Sequence, residues 1–321
     1  MLRSYFHKIR IEGKENVPKN TPLIVIPNHQ NAFLDAILVG AFIPIPLHYL
    51  TRQDVFTWWS KPLLRLMNMM PIYRIRDGFS KLSLNDAVFE SCRNLFGNHG
   101  SVLIFAEGNH GKDYYLRPLT KGAARLALQS QEAIDTEMMV LPVGLNYFNH
   151  QAANSTVLIN FGKPIPVKEY VKSYQTNAAK GLIEIRNAIS TGMKEVLVIP
   201  DMSPEYDLRV QAIFQEKHED LSFHELQSID ITETIIEDKK QKKKHHLAWI
   251  LNPLPLLIIR KVISGIDDVV FHSSLKFGIG LFAFPLWWVI VFFTMFFLVG
   301  INIALLTVIV MVYGLYYSYQ R

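Results

Sequence analysis

The sequence predicts an α/β protein, built as a mixed sheet with flanking helices and followed by a C-terminal transmembrane helical hairpin. Over residues 1–200, short apolar runs alternate with helical patterns, which is typical of α/β layer folds. Further on, the 41 residues 277–317 contain no Asp, Glu, Lys, Arg or His. A helix needs about 20 apolar residues to cross a bilayer, so this stretch has room for two crossings.

The predicted strands are apolar runs that end at polar residues or glycine, as buried parallel strands do. Two of them, "MMVLPVGLNYF" and "STVLINFGKPI", follow one another closely and are expected to form an antiparallel pair. The others are "PLIVIPN" and "SVLIFAEG". Between the strands, helical spacing of apolar residues predicts helices at Ala32–Phe42, Leu82–Phe96 and Lys121–Gln129. Together these elements are assigned to a first domain, residues 1–200.

Residues 201–246 are charged and amphipathic, and they are predicted to form a helical linker. The linker ends in "KKQKKKHH" (239–246), which either contacts an anionic lipid surface or is a solvated connection. Residues 247–321 are predicted to be membrane-associated. The first part of this region, "LAWILNPLPLLIIRKVISGIDDVV", is too short and too interrupted by proline to cross a bilayer. It lies in the membrane interface or caps the first domain, and the sequence leaves both open.

The long apolar stretch is predicted to form two transmembrane helices, at about 277–299 and 303–319, with the turn at Gly300 and Asn302. One long tilted helix or a re-entrant loop is the alternative. Lys276 and Arg321 flank the hairpin, and positive flanks favour the cytoplasmic side. The first residues contain no apolar core long enough for a signal peptide. We therefore expect an integral protein of the cell (inner) membrane, with its first domain on the cytoplasmic face.

The stretch "IVIPNHQNAFLDAILV" (24–39) places a histidine and an aspartate where a predicted strand becomes a helix. His29 is expected at the end of the strand, and Asp35 is expected inside the helix. A carboxylate that fixes the orientation of an imidazole prepares it to act as a general base, and ligands in open α/β sheets bind at this edge. The alternative is a surface histidine and a helical aspartate that never meet.

Two further stretches carry candidate binding residues. In "MMPIYRIRDG" (69–78), Arg74 and Arg76 alternate with apolar residues and would point to one side of a half-buried strand. Arginine suits bidentate capture of phosphate, although a pair of exposed strand arginines explains the pattern equally. In "LIFAEGNHGKD" (103–113), Glu107 and Gly108 follow a strand, and Lys112 lies beyond them. Lys121 then opens a helix, whose N-terminus is a possible anion site.

Taken in order, these blocks resemble the glycerolipid acyltransferase family, the membrane-bound lysophosphatidate and glycerol-3-phosphate acyltransferases. The resemblance covers roughly residues 10–170 and depends on four ordered blocks. It implies the following roles: His29 and Asp35 as the catalytic pair (an HxxxxxD motif), Arg76 as the phosphate-binding arginine, Glu107 and Gly108 as the acceptor-binding Glu-Gly, and Pro142 in "VLPVGLNY" as the proline of the fourth block.

The chain departs from the family pattern at two places. Five residues separate His29 from Asp35, where the family usually has four. One extra residue inside the helix would rotate Asp35 by about 100°, so we expect the turn at Gln30–Asn31 to absorb it. A branch that acts on glycerol-3-phosphate or dihydroxyacetone phosphate is similar in having the longer spacing. Ala106 stands where the third block commonly has proline, which affects the stiffness of the loop.

The resemblance implies an O-acyltransferase of phospholipid synthesis. The acyl donor would be acyl-CoA or acyl-carrier protein, and the acceptor would be a hydroxyl of glycerol-3-phosphate or 1-acylglycerol-3-phosphate. Arg74, Lys112 and Lys121 would assist Arg76 at the phosphate. No metal, cofactor or nucleic acid is expected, and the bilayer is an expected partner. An O-acyltransferase for a lyso-aminolipid and an inactive, membrane-tethered lipid-binding protein are the alternatives.

Overall fold

The computed structural model describes residues 2–74, 83–230 and 246–319. Within these residues, eight strands form one mixed sheet. The strands are β1 (Lys8–Glu12), β2 (Leu23–Pro27), β3 (His48–Arg52), β4 (Met69–Ile72), β5 (Ser101–Leu103), β6 (Met139–Tyr147), β7 (Thr156–Phe161) and β8 (Ile165–Pro166).

The order of the strands places β2 near the centre of the sheet. It runs β1-β7-β6-β2-β5-β3-β4, and β8 pairs with β6. β2 is parallel to both β5 and β6, and β3 is parallel to β4 and β5. β6 and β7 are antiparallel, as predicted. Since β2, β5, β3 and β4 are parallel, their carboxyl ends meet at one edge of the sheet, where ligands of α/β proteins bind.

The predicted helices are present, with shifted ends in two cases. The helix predicted at Ala32–Phe42 has those bounds, and the other two are Leu84–Gly97 and Lys121–Ala133. The helices of the first domain are α1 (Leu2–Tyr5), α2 (Ala32–Phe42), α3 (Lys61–Leu66), α4 (Leu84–Gly97), α5 (Lys121–Ala133), α6 (Lys168–Thr176) and α7 (Ala178–Glu195).

The two faces of the sheet are covered by different helices. One apolar cluster joins Ile24 and Ile26 of β2 to buried residues of α4, α5 and α7. The other joins Leu23 and Val25 to α2 on the opposite face. Successive residues of a strand point to opposite faces, so an apolar run buried throughout fits a strand covered on both sides. The buried sheet gives the carboxyl edge a rigid base.

Residues 201–230 differ from the predicted helical linker. They form α8 (Tyr206–Ile213), a short 3₁₀ turn and α9 (Phe223–Gln227). Ile213, Phe223 and Leu226 are buried against Phe148 and Leu158, which belong to the first domain. The segment therefore completes the core of this domain, and most of its charged residues are exposed, although Glu219 is buried. The lysine-rich run, apart from His246, lies outside the described residues.

The C-terminal region contains α10 (His246–Leu251), α11 (Pro253–Ser264), α12 (Val270–Val299) and α13 (Ile301–Tyr319). The last two are long and apolar enough to cross a membrane. α12 begins seven residues before the predicted start, and the chain turns at Gly300, whose φ of 93° suits glycine. The proline-containing segment packs beside both long helices: Asn252 accepts a hydrogen bond from Trp288 (2.8 Å) and donates to the Met311 carbonyl (3.3 Å).

The first turns of α12 are attached to the first domain. Tyr5 contacts the side-chain oxygen of Ser273 at 2.7 Å and donates to its carbonyl at 2.9 Å. Lys276 donates to the carbonyl of Gln151 at 2.9 Å. The start of α12 is therefore attached directly to the first domain, at Tyr5 and at Gln151.

Candidate active site

The chain leaves the sheet at the end of β2 in a way that presents His29. Asn28 continues the pairing with β6 through its side chain: its Oδ1 accepts from the Leu145 N–H (2.7 Å), and its Nδ2 donates to the Leu145 carbonyl (3.1 Å). This side chain satisfies the backbone of β6 where β2 has ended. The backbone of Asn28 is thereby released to turn, and His29 stands at the edge of the sheet.

His29 and Asp35 meet as the sequence predicts. The Nδ1 atom of His29 lies 2.9 Å from Oδ2 of Asp35. A carboxylate accepts hydrogen bonds only, so the proton of a neutral imidazole belongs on Nδ1 and the lone pair on Nε2. The ring is stacked on Phe105, with 3.7 Å between ring centroids and 13° between planes. Both contacts fix the orientation of the ring and leave Nε2 to accept a proton.

Asp35 is completely buried, and its carboxylate is held by four donors. Besides His29, the backbone N–H groups of Gln30 (2.8 Å) and Asn31 (2.7 Å) donate to Oδ2. The hydroxyl of Tyr147 donates to Oδ1 at 2.5 Å. A buried carboxylate must be compensated by such bonds. Tyr147 comes from the end of β6, beside β2, and the sequence analysis did not identify it.

The extra residue between His29 and Asp35 is accommodated one position later than predicted. The residue in the left-handed region is Ala32, with φ of 44°, and Asn31 has φ of −135°. Glycine and asparagine are the usual residues at such angles. For another residue, such as alanine, the angle costs about 1–3 kcal/mol. The helix accordingly starts with a strained residue, and Asp35 still faces His29.

Glu107 lies after β5, next to the same edge, and its carboxylate forms an ion pair with Arg117. Arg117 also donates to the carbonyl of His29 (3.2 Å) and to the side chain of Asn109 (3.1 Å). The side chain of Glu107 is only 3% exposed, whereas that of Arg117 is 15% exposed. The sequence analysis assigned acceptor binding to Glu107 directly; in the structure the guanidinium of Arg117 is the more accessible group.

The environment of Glu107 changes its protonation. Burial raises the pKa of its carboxyl from 4.5 to about 7, Arg117 opposes the rise, and the negative charges of Asp35 and Asp113 add to it. The pKa in the folded protein is therefore above that in the unfolded chain. Folding favours the protonated form, so this contribution to stability is fully present below about pH 4.5 and is lost as pH rises through about 7.

Replacing Glu107 by glutamine is expected to flatten the dependence of stability on pH. A pKa change from 4.5 to about 7 corresponds to about 3 kcal/mol at most. The unfolding temperature of the detergent-solubilised protein should fall between about pH 5 and about pH 8, and it should fall less in Glu107→Gln. Glu132→Gln, at an exposed position of α5, is the control. Equal pH dependence in the wild type and Glu107→Gln would contradict the assignment.

A second histidine lies beside the first. The ring of His110 is 5.6 Å from that of His29, edge to face. Its Nε2 is 3.3 Å from Oδ2 of Asp268, which precedes α12, and its ring contacts Phe271. Burial lowers the pKa of His110, His29 adds to the effect, and Asp268 opposes it. The start of the C-terminal helices thus lines one side of the site. No role was predicted for His110 from the sequence.

Three other predicted residues lie in the segment between β5 and α5 or at the start of α5. Gly108 has φ of 79°, and a Cβ there would lie 2.9 Å from Thr120, so the position suits glycine. Lys112 is exposed and follows Gly111, whose N–H donates to the His29 carbonyl (3.0 Å). Lys121 is exposed at the start of α5.

The remaining predicted residues lie elsewhere. Arg74 comes after the end of β4, not within a strand, and its guanidinium lies 3.6 Å from the carboxylate of Asp54. Arg76 lies outside the described residues. Pro142 is buried within β6 and packs on Gly192 of α7, on the opposite face from α2. In this structure Pro142 supports packing of the sheet against α7 and does not reach His29.

The arrangement can remove a proton from a hydroxyl. An oriented imidazole with an accessible Nε2 has the geometry of a general base. The guanidinium of Arg117 supplies positive charge beside His29, and Lys112 follows Gly111, whose N–H donates to the His29 carbonyl. Among the described residues, no serine or cysteine is hydrogen-bonded to the His29 ring. The chemistry that fits is attack by a hydroxyl of the substrate itself.

Comparison with known proteins finds similarity to acyltransferases over the first part of the chain. Residues 8–146 match the family model described as "Acyltransferase". The 1-acyl-sn-glycerol-3-phosphate acyltransferase LPAT1 of Arabidopsis thaliana (chloroplastic) is 30% identical over 134 residues, covering 40% of this chain and 35% of that protein. Glycerol-3-phosphate O-acyltransferase 1 of Saccharomyces cerevisiae is 34% identical over 106 residues, covering 32% of this chain and 14% of that protein.

Among solved structures, the crystal structure of the 1-acyl-sn-glycerophosphate acyltransferase PlsC from Thermotoga maritima is similar, with a TM-score of 0.43 and 19% identity. It covers 59% of this chain and 72% of that one. The chain thus spans 35% of the length of the Arabidopsis relative and 14% of the length of the yeast relative. The matched region contains His29, Asp35, Glu107 and Arg117.

Proposed function

Because residues 8–146 belong to the acyltransferase family, we propose that this protein is a membrane-bound glycerolipid O-acyltransferase. It moves a fatty acyl group from a thioester, acyl-CoA or acyl-carrier protein, to a hydroxyl of glycerol-3-phosphate or 1-acylglycerol-3-phosphate. The observation that carries the proposal is the 2.9 Å contact between His29 and Asp35 at the carboxyl edge of the sheet.

The proposed reaction begins with the acceptor hydroxyl beside Nε2 of His29. The imidazole takes the proton while the hydroxyl oxygen attacks the thioester carbonyl, and the imidazolium is stabilised by Asp35. The tetrahedral intermediate collapses with cleavage of the C–S bond, and the proton passes from His29 to the leaving sulfur. One ester and one thiol are formed from one alcohol and one thioester, so the proton on His29 is returned in each turnover.

Positive charge near His29 favours a phosphorylated acceptor. Arg117 is tied to the His29 carbonyl, and Lys112 follows the glycine that donates to the same carbonyl. Arginine binds phosphate with a planar pair of donors, and lysine binds it as a point charge. We assign Arg117 to the phosphate, together with Arg76, Arg74, Lys112 and Lys121, which were predicted from the sequence. Glu107 orients Arg117.

The membrane location is supported by two separate features. α12 and α13 are long and apolar enough to cross a bilayer. Trp58 and Trp59, in the connection after β3, are 89% and 65% exposed, and tryptophan is enriched at membrane interfaces. We place the first domain on the cytoplasmic face of the cell membrane, because Lys276 and the lysine run precede the hairpin. This location gives the site access to acceptors held in the bilayer.

Competition between acceptors tests the proposed function. The purified protein in lipid is given acyl-CoA together with glycerol-3-phosphate, 1-acylglycerol-3-phosphate and a lyso-aminolipid, and products are identified by mass spectrometry. A parallel reaction uses acyl-carrier protein as donor. We expect acylation of a phosphorylated acceptor in preference to the lyso-aminolipid.

Other outcomes would contradict the proposal in distinct ways. Preferred acylation of the lyso-aminolipid would support acyltransferase activity but would contradict the assignment of a phosphorylated acceptor. No consumption of either thioester, with lipid still bound, would favour a tethered lipid-binding protein.

A further inference from the structure

Ser274, on the first turns of α12, contacts the turn that joins His29 to Asp35. The N–H of Leu34 donates to Oγ of Ser274 at 3.1 Å, and this hydroxyl donates to the carbonyl of Asn31. Ser274 is completely buried. The hydroxyl therefore joins the two ends of the segment that contains Ala32, although it is 243 positions away from Asn31.

The turn needs such support because of its backbone. Ala32 has φ of 44°, and a residue with a side chain keeps this angle only where its surroundings determine it. Asn31 is fixed on one side by its Nδ2, which donates to the His150 carbonyl at 2.8 Å. Its N–H is fixed by Asp35, and its carbonyl by Ser274 and the Leu34 N–H. Ser274 is the contributor from outside the first domain.

We propose that Ser274 is a positioning residue, through which the C-terminal helix holds the strained turn and keeps Asp35 against His29. The inference rests on the proposed function, because its effect is on the base that Asp35 orients. It assigns the start of α12 a role beyond anchoring: the helix that enters the membrane also completes the support of the catalytic pair. Loss of the hydroxyl would let the turn relax and move Asp35 relative to the imidazole.

Ser273 provides a matched control on the same helix. It is also a buried serine, 1% exposed, but its hydroxyl contacts Tyr5 and not the turn. Ser274→Ala and Ser273→Ala each remove one buried hydroxyl from the contact between α12 and the first domain. A purely structural role would therefore give both variants similar losses of unfolding temperature and similar activity. Ser274→Thr keeps the hydroxyl and is the rescue variant.

The test measures kcat, both KM values and the unfolding temperature of the full chain in lipid. We expect kcat of Ser274→Ala to fall by about 10- to 100-fold, because small misplacements of a catalytic group have effects of this order. Both KM values should stay unchanged, Ser273→Ala should retain kcat, and Ser274→Thr should recover most of it. Equal kcat in the two alanine variants, with an active wild type, would overturn the role of Ser274 alone. A wild-type chain without transfer activity would overturn the proposed function, and this inference with it.

Discussion

Replacement of His29 by alanine is expected to lower kcat by about two to four orders of magnitude, the usual contribution of a general base. The hydroxyl would then have no group to accept its proton as it attacks the thioester. Arg117 and the lysines remain, so the KM for the phosphorylated acceptor should change little. A loss confined to kcat identifies an interaction made in the transition state and not in the bound ground state.

The fold should tolerate this substitution. The side chain of His29 is 14% exposed, and its loss removes one of the four hydrogen bonds to Asp35. A change of about 1 kcal/mol in the free energy of unfolding is expected from these losses. His224→Ala, at an exposed position in α9, controls for removal of a histidine as such. Near wild-type kcat in His29→Ala, measured with properly folded protein, would exclude His29 as the base.

The contact between His29 and Asp35 was predictable from the sequence because it is local. His29 and Asp35 are six positions apart, at a change from strand to helix periodicity. The turn between them was placed one residue too early, because asparagine is the common left-handed residue and nothing marks Ala32 as unusual. The mixed sheet and the helices next to the site were likewise visible in the spacing of apolar residues.

Contacts between distant segments were not predictable in this way. Tyr147 and Ser274 reach the catalytic turn from 112 and about 240 positions away, and a buried tyrosine or serine has no distinctive pattern in the sequence. Arg117 was visible in "RPLTKG", but only the fold shows that Glu107 holds it beside the His29 carbonyl. Within the predicted linker (201–246), the charged residues hid the fact that Ile213, Phe223 and Leu226 pack on Phe148 and Leu158, because the partners of these few apolar residues lie far away in the sequence.

Replacement of Asp35 by asparagine is expected to have a different signature from His29→Ala, because activity and stability should both fall. The asparagine amide can keep its oxygen towards His29, Gln30 and Asn31, but the hydrogen bonds lose the negative charge of the acceptor. Bonds to charged groups contribute about 1.5–3 kcal/mol each, against about 1 kcal/mol for neutral ones. The unfolding free energy should decrease by a few kcal/mol, since three donors besides His29 depend on this carboxylate.

The activity of Asp35→Asn should fall by about 10²–10⁴-fold in kcat, because a neutral amide does not stabilise the positive charge of the imidazolium. Tyr147→Phe provides the graded comparison. It removes one donor to Oδ1 and leaves the carboxylate bonded to His29 and both backbone N–H groups. Its kcat should fall by about tenfold or less, with a loss of stability of about 1–3 kcal/mol.

Two roles of Asp35 can be separated by measuring kcat and chemical unfolding on both variants. One role is to hold the backbone of the turn, and the other is to stabilise the imidazolium of His29. If Asp35 acted only by holding the backbone of Gln30 and Asn31, kcat would follow stability. In a plot of log kcat against the free energy of unfolding, the wild type and the two variants would then lie on one line. We expect Asp35→Asn to lie far below that line, because charge opposite the imidazolium is needed in the transition state whatever the stability of the turn. Equal kcat losses in the two variants at equal stability would show that Asp35 has no electrostatic role beyond the fold.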